Sequence, residues 1–257
     1  PEVIRECLMG FIATLTNGSR GPAPQAPSFK EWILDSLGEG IAKHFMVPFN
    51  EKLWQVPLEE LTSEWVSWLV PKPELKDVVN GALGIKDKAF GYNPSFLYPA
   101  SGGIKVLPEA FADDPERVSV HNVNLAVARE QVSDKHWIYF PEHRYPFYRA
   151  GFPMNFSKAM GRPGCSSMYV EMSHQPTERI PDEQLVERVR RGLEDAGVLR
   201  RSDELVMSDV KDIYYAYVLF DRRRGNAVSQ ILAELERRGI SSIGRYGLWE
   251  HTSMEDA

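Results

Sequence analysis

From residue 3 to 15 apolar side chains recur at helical spacing, with Val3, Ile4, Leu8, Phe11, Ile12 and Leu15 on one broad face, and Asn17-Gly18 supplies a stop. Residues 19–27 hold Gly21 and three prolines and read as a linker. Ser28 with Glu31 three positions on has the form of a capping box, so a second helix is expected there, burying Trp32, Ile33 and Leu37 ahead of Gly38. A short helix over 41–49 is expected to break at Pro48, and the spacing predicts further helices over 57–69 and 73–83. Ile104, Leu107, Ala110 and Phe111 return to helical spacing after a turn-rich stretch.

At Val118 the period changes from helical to alternating. Val118 and Val120 share one phase and Val123, Leu125 and Val127 the other, a slip that predicts a bulge or a seam. Strands are expected over 136–140, 147–152 and 165–172, with the strongest over 211–220, placed at the sheet centre. Helices over 182–196 and 226–238 carry clear apolar stripes and end at Gly197 and Gly239. The order predicts an α+β fold: a helical subdomain over 1–112, packed on a mostly antiparallel or mixed β-sheet covered by helices over 113–257.

Composition narrows the function without choosing one. The chain has 257 residues, 43% hydrophobic and 26% charged, ordinary values for a globular core, and its net charge of −6 argues against general nucleic-acid binding. No apolar run approaches the ~20 residues of a membrane span. Pro1-Glu2-Val3 lacks an initiator methionine and a signal-peptide pattern, and reads as a cut into a longer chain. Cys7 and Cys165 are unpatterned, which suits a reducing cytoplasm. The six histidines show no metal-ligand spacing, so no metal site is expected, and neither a G-x-S-x-G elbow nor a P-loop is present. Trp54 reads either as a core anchor or, with Asn50 and Lys52 nearby, as a pocket wall. Lys52 reads as a surface cation or a phosphate ligand. Sheet packing accounts for most of the aromatics between Trp137 and Phe156, with a sandwiched flat substrate as the other reading.

Three blocks carry a family resemblance. Gly244-Arg245-Tyr246-Gly247, Trp249-Glu250 and Ser253-Met254-Glu255-Asp256 resemble the C-terminal flavin-contacting segment of an FAD superfamily that includes UDP-galactopyranose mutase, protoporphyrinogen oxidase and the flavin amine oxidases. Residues 44–61 are similar to the F-x-x-x-Y-x-x-K-x-W-G segment of the mutases, with Phe49 in place of tyrosine and Gln55 in place of glycine. Residues 98–104 resemble a P-x-G-G turn under the isoalloxazine. The superfamily's G-x-G-x-x-G fingerprint is absent, Gly38/Gly40 and Gly102/Gly103 being the nearest approaches, and residues 113–117 stand where a long β-rich insertion is usual.

The resemblance implies the substrate-binding portion of a flavoprotein, with FAD in the parent protein and none bound by this chain. It implies cofactor contacts at Gly102, Gly103, Gly244, Arg245 and Met254, and substrate contacts at Phe49, Lys52 and Trp54, with no catalytic residue assigned. The implied substrate is a nucleotide sugar or a flat ring or amine, and Lys52-x-Trp54 leans towards the mutases. An exposed cofactor-side face would favour self-association. The alternative is a non-catalytic ligand- or protein-binding module derived from the same fold. Without the glycine fingerprint the chain is expected to bind FAD weakly or not at all. A flavin absorption spectrum that survives gel filtration would contradict this.

Overall fold

The computed structural model describes residues 1–16, 27–66, 70, 72–85, 117–157, 160–175 and 180–252. In chain order its elements are α1 (Glu2–Thr16), α2 (Phe29–Ile41), a π-helical turn (Ala42–Met46), α3 (Val47–Trp54), α4 (Leu75–Ala82), β1 (Arg117–Val127), β2 (Trp137–Tyr139), β3 (Arg149–Gly151), a 3-10 turn (Pro153–Asn155), β4 (Ser166–His174), α5 (Asp182–Asp195), β5 (Leu205–Val218), α6 (Arg224–Arg237) and α7 (Gly244–Gly247). This is an α+β protein, and no described helix is long and apolar enough to cross a membrane. The chain forms two compact units: Pro1–Val47 with Val56–Arg117 and Val218–Ala257, and Pro48–Gln55 with Val118–Tyr217.

In the first unit α1 meets α2 through backbone rather than side chains. A Cβ built on Gly40 would lie 2.2 Å from the Glu6 carbonyl oxygen, and one on Gly10 would lie 2.7 Å from the Gly40 nitrogen. Gly38, at φ +80°, breaks the helical path of α2 just where it touches Gly10. The sequence places a broad apolar face of α1 against the core, yet only Phe11 is buried, and Val3, Ile4, Ile12 and Leu15 are exposed. The small glycine surface, not the apolar stripe, decides which side of α1 packs.

The Ser28–Glu31 capping box forms as expected, the Ser28 hydroxyl accepting from the Glu31 N–H and the Glu31 carboxylate from the Ser28 N–H. Pro48 does not break the chain. A π-helical turn widens the backbone immediately before it, so the N–H that proline lacks is accommodated and α3 continues to Trp54. Residues 57–65 are not a helix. They run as turns tied by two isolated bridges, Ser28 to Thr62 and Leu61 to Asp221, and bury Leu58, Leu61 and Trp65. The expected helix around residue 107 and most of the 19–27 linker lie outside the described residues.

The second unit is a five-stranded sheet in the order β2-β3-β4-β1-β5. β1 with β4, β3 with β4 and β2 with β3 pair antiparallel. One face carries Val123, Leu125, Val127, Ala150, Met168, Val170 and Met172 into a core with Leu185, Val189 and Leu193 of α5. On the other face the Ser173 hydroxyl donates to the Leu53 carbonyl of α3 at 2.7 Å.

Two strand expectations need correction. β1 pairs with β4 in unbroken register from Ser119 to Val127, so the apparent phase slip is no bulge. Val118 and Val120 point to the face opposite Val123, and all three are buried because both faces of this strand are covered. The strand over 211–220 starts earlier, at Leu205, and lies at the edge of the sheet rather than its centre. Its polar first half, Leu205 to Ile213, is mainly exposed, and only Val218 at its end is buried.

The glycine seam supplies the stability test. Gly40→Ala forces a methyl onto the Glu6 backbone, and overpacking of this kind costs about 1–3 kcal/mol. Urea unfolding is expected to show that loss, and an unchanged midpoint would contradict backbone contact between α1 and α2.

Candidate functional site

Two rungs of the sheet build a polar, aromatic face opposite the α5-covered core. Tyr139, Arg149 and Glu171 are direct cross-strand partners on β2, β3 and β4, and Trp137, Gly151 and Tyr169 form the next rung. Period-2 alternation puts all six on one side, since Ile138, Ala150 and Val170 between them face the core. Gly151 is required here, because a Cβ on it would lie 2.2 Å from the Tyr169 ring, which lies across the backbone. The Trp137 indole N–H donates to the Tyr169 hydroxyl at 2.6 Å and holds that ring in place.

Helix α3 supplies the aromatic wall. Phe49 meets Tyr139 edge-on at 5.5 Å and Tyr148 at 6.1 Å. Trp54, 4% exposed, donates its indole N–H to Asn50 and sets its edge 5.9 Å from Tyr217 of β5. The Tyr148 and Tyr217 hydroxyls lie 3.5 Å apart.

Arg149 is the centre of the face. Its Nε and Nη2 donate to the two carboxylate oxygens of Glu171 at 2.5 and 2.9 Å, and Nη2 also reaches the Tyr217 hydroxyl at 3.4 Å. Burial works against its charge, but Tyr217 and the Glu171 carboxylate outweigh it, and the net effect holds the guanidinium more firmly protonated than usual. Burial pushes the Tyr148 phenol well above its ordinary value, and it raises Tyr169 as well. Both tyrosines therefore stay neutral donors. A fixed cation with phenolic hydroxyls and aromatic edges suits a ligand that combines an anionic group with flat or sugar-like surface.

The sequence-derived residues separate into three sets. Phe49 and Trp54 belong to this face, Trp54 serving as both buried anchor and wall. Lys52 turns its ammonium to the Phe140 and Glu142 carbonyls, donating to them at 2.5 and 2.9 Å. Burial lowers its pKa to about 8, against the opposing pull of the Glu142 charge. Gly102, Gly103 and Met254 lie outside the described residues. Arg149, Tyr169, Glu171 and Tyr217 were missed by sequence reasoning. An arginine inside the short strand of a predicted antiparallel sheet was the available signal.

Gly244 and Arg245 belong to the other unit, where α7 leads into the loop 248–252. Gly244 takes φ +78°, with open space where a Cβ would sit. Arg245 donates to the Thr252 carbonyl at 3.1 Å and lies 3.3 Å from His251 Nδ1, so the guanidinium serves its own loop. His251 is buried, stacked 5.0 Å from Phe220, with the tilted Trp65 ring at 5.6 Å. Arg224 donates to the Trp249 carbonyl and covers the Phe220 ring at 4.1 Å.

These elements define an α+β fold with a helix-backed antiparallel sheet that presents an arginine among aromatic side chains. No family model matches the chain. Among solved structures it is similar to a reduced UDP-galactopyranose mutase, with a TM-score of 0.82 at 24% identity, over 97% of this chain and 67% of that one. It is also similar to a putative protoporphyrinogen oxidase from Exiguobacterium sp. 255-15, with a TM-score of 0.57 at 11% identity, over 91% of this chain and 65% of that one. At these identities the likeness is one of fold, and the chain spans about two thirds of each structure's length.

The His251 environment generates a pH prediction. Burial first, then repulsion from Arg245, lowers its pKa from 6.5 to about 3, so the folded ring is neutral. Above pH 6.5 the folded and unfolded states agree. Below it the unfolded chain takes up a proton that the folded chain refuses, and stability falls by up to about 1.4 kcal/mol per pH unit down to about pH 3. Melting temperatures between pH 7 and 4 are expected to fall less steeply in His251→Phe than in the wild type, and parallel slopes would contradict the assignment.

Proposed function

We propose that this chain is the substrate-binding portion of an FAD-dependent mutase or oxidoreductase, and that it takes a nucleotide sugar on the Arg149 face of its sheet. The observation that carries the reading is a guanidinium kept cationic at the centre of an aromatic-lined face. The fold likeness to a UDP-galactopyranose mutase supports it.

In this reading the diphosphate sits against the Nη1 edge of Arg149, which the bonds to Glu171 and Tyr217 leave outside their geometry. Tyr217 and Tyr139 add hydroxyl donors, while Phe49 and Trp137 flank the base or sugar and exclude water. Glu171 orients Arg149 through both of its carboxylate oxygens. The chain's own residues thus bind and position.

The flavin contacts implied by the sequence resemblance lie mostly outside the described residues. Of the five, only Gly244 and Arg245 are described, and Arg245 is bonded to its own loop. No step of the reading passes through flavin.

Calorimetric titration with UDP and UDP-galactose is the test. Both are expected to bind, free galactose far more weakly. Arg149→Lys keeps the charge against Glu171 but loses the fork, and is expected to weaken UDP about tenfold or more, the scale of one lost charge-assisted bond. Binding of an aromatic amine in place of UDP, or equal UDP affinity in Arg149→Lys, would contradict the proposal.

A further inference from the structure

On the α5-covered side of the same sheet, away from Arg149, three ligand-bearing side chains meet. His121 of β1 and His174 of β4 are diagonal neighbours, since His174 pairs with Ser119, two residues before His121 on the same face. Both are buried, at 5% and 3% exposure, and their rings stack at 3.7 Å with 4° between planes. Asp212 of β5 completes the group. Its Oδ1 lies 3.0 Å from His174 Nε2 and 3.9 Å from His121 Nδ1, and its side chain is 35% exposed. One ligand atom from each residue falls within 4.8 Å of the others.

The hydrogen bonding of His174 fixes which of its nitrogens faces Asp212. Its Nδ1 is 2.9 Å from the Gln175 carbonyl, which can only accept, so Nδ1 carries the proton. A neutral ring would then turn the bare Nε2 lone pair towards a carboxylate oxygen at 3.0 Å, acceptor against acceptor. A divalent cation between Nε2 and Oδ1 would take a lone pair from each. The backbone bond at Nδ1 is also the usual device that aims the other nitrogen at a metal.

We propose that His121, His174 and Asp212 bind one divalent transition-metal ion of the zinc or cobalt type. Imidazole and carboxylate ligands hold such ions at about 2.0–2.2 Å, which places ligand atoms about 3–4 Å apart around the ion. The observed 3.0 and 3.9 Å are of that size. Three adjacent strands supply the ligands, so the spacing is held by the sheet ladder and not by a loop. Parallel stacked rings send their lone pairs in parallel, so binding turns the two imidazoles out of the stack until both meet the ion. Any proton on Nε2 leaves to solvent as the metal enters. The partly exposed Asp212 side provides the entry path and the open fourth position. The spacings 121, 174 and 212 hide this set from any local motif, which is why the histidines look scattered in sequence.

The test is metal loading of the full chain with cobalt(II), then zinc, each followed by dialysis and metal analysis. One retained equivalent per chain is expected, with a visible cobalt spectrum that zinc abolishes. Asp212→Asn and His174→Gln should each weaken binding at least tenfold, and His143→Gln, at an exposed histidine, should leave it unchanged. In the intact protein, zinc is expected to shift the imidazole resonances of His121 and His174, a readout that holds even where a variant fails to fold. Failure of the wild type to retain metal would mean that a proton bridges His174 and Asp212, and would overturn the proposal. Retention at full affinity without His174 would overturn it too, by placing the ion elsewhere.

Discussion

A guanidinium set into the middle of a sheet face is tolerable only where its charge and donors are met, and Glu171, one strand across, meets Arg149 with both oxygens. Much of this unit follows from that pairing. The β3–β4 register cannot slip by one residue without turning Arg149 into the apolar core and Ala150 out of it. Glycine at 151 lets the Tyr169 ring lie down beside the pair, Trp137 pins that ring, and α3 brings Phe49 and Trp54 over the same side. The pair thereby holds a cation in a fixed place that a solvated surface arginine would not offer.

The other unit rests on a different constraint. Gly10, Gly38 and Gly40 let two helix backbones touch, and the apolar residues of α1 are left largely exposed as a consequence. In sequence, Gly38 and Gly40 look like a fragment of a dinucleotide fingerprint. In the fold they are a helix-crossing seam, with no strand before them among the described residues. The C-terminal loop is similarly self-contained, since Arg245, His251 and Arg224 tie residues 249–252 to Phe220 and Trp65.

Periodicity revealed the elements with regular, isolated signals: the Ser28 cap, the stripe of α5, the strands β2 to β4 and the helix α6. It failed where long-range contacts decide. Pro48 looked like a break because a π-helical turn has no sequence signature, and residues 57–65 have helical spacing but are held as turns by bridges to Ser28 and Asp221. The tyrosine-rich end of β5 suggested a central strand, although its first half is polar in the way an edge requires. The resemblance to flavoproteins named Phe49 and Trp54, whose rings lie against Tyr139 and Tyr217. It could not find Arg149, Glu171, Tyr169 and Tyr217, because their meaning lies in which strand stands beside which.

The most direct measurement is the NMR response of the Arg149 Nε–H, assigned through the loss of its signal in Arg149→Lys. Held by the Glu171 carboxylate, this proton should exchange slowly and resonate apart from those of the surface arginines. Titration with UDP is predicted to move it in step with the Trp137 indole N–H, and neither should move with galactose. An Arg149 signal that stays fixed while UDP binds and shifts other residues would contradict the claim that this face is the ligand site.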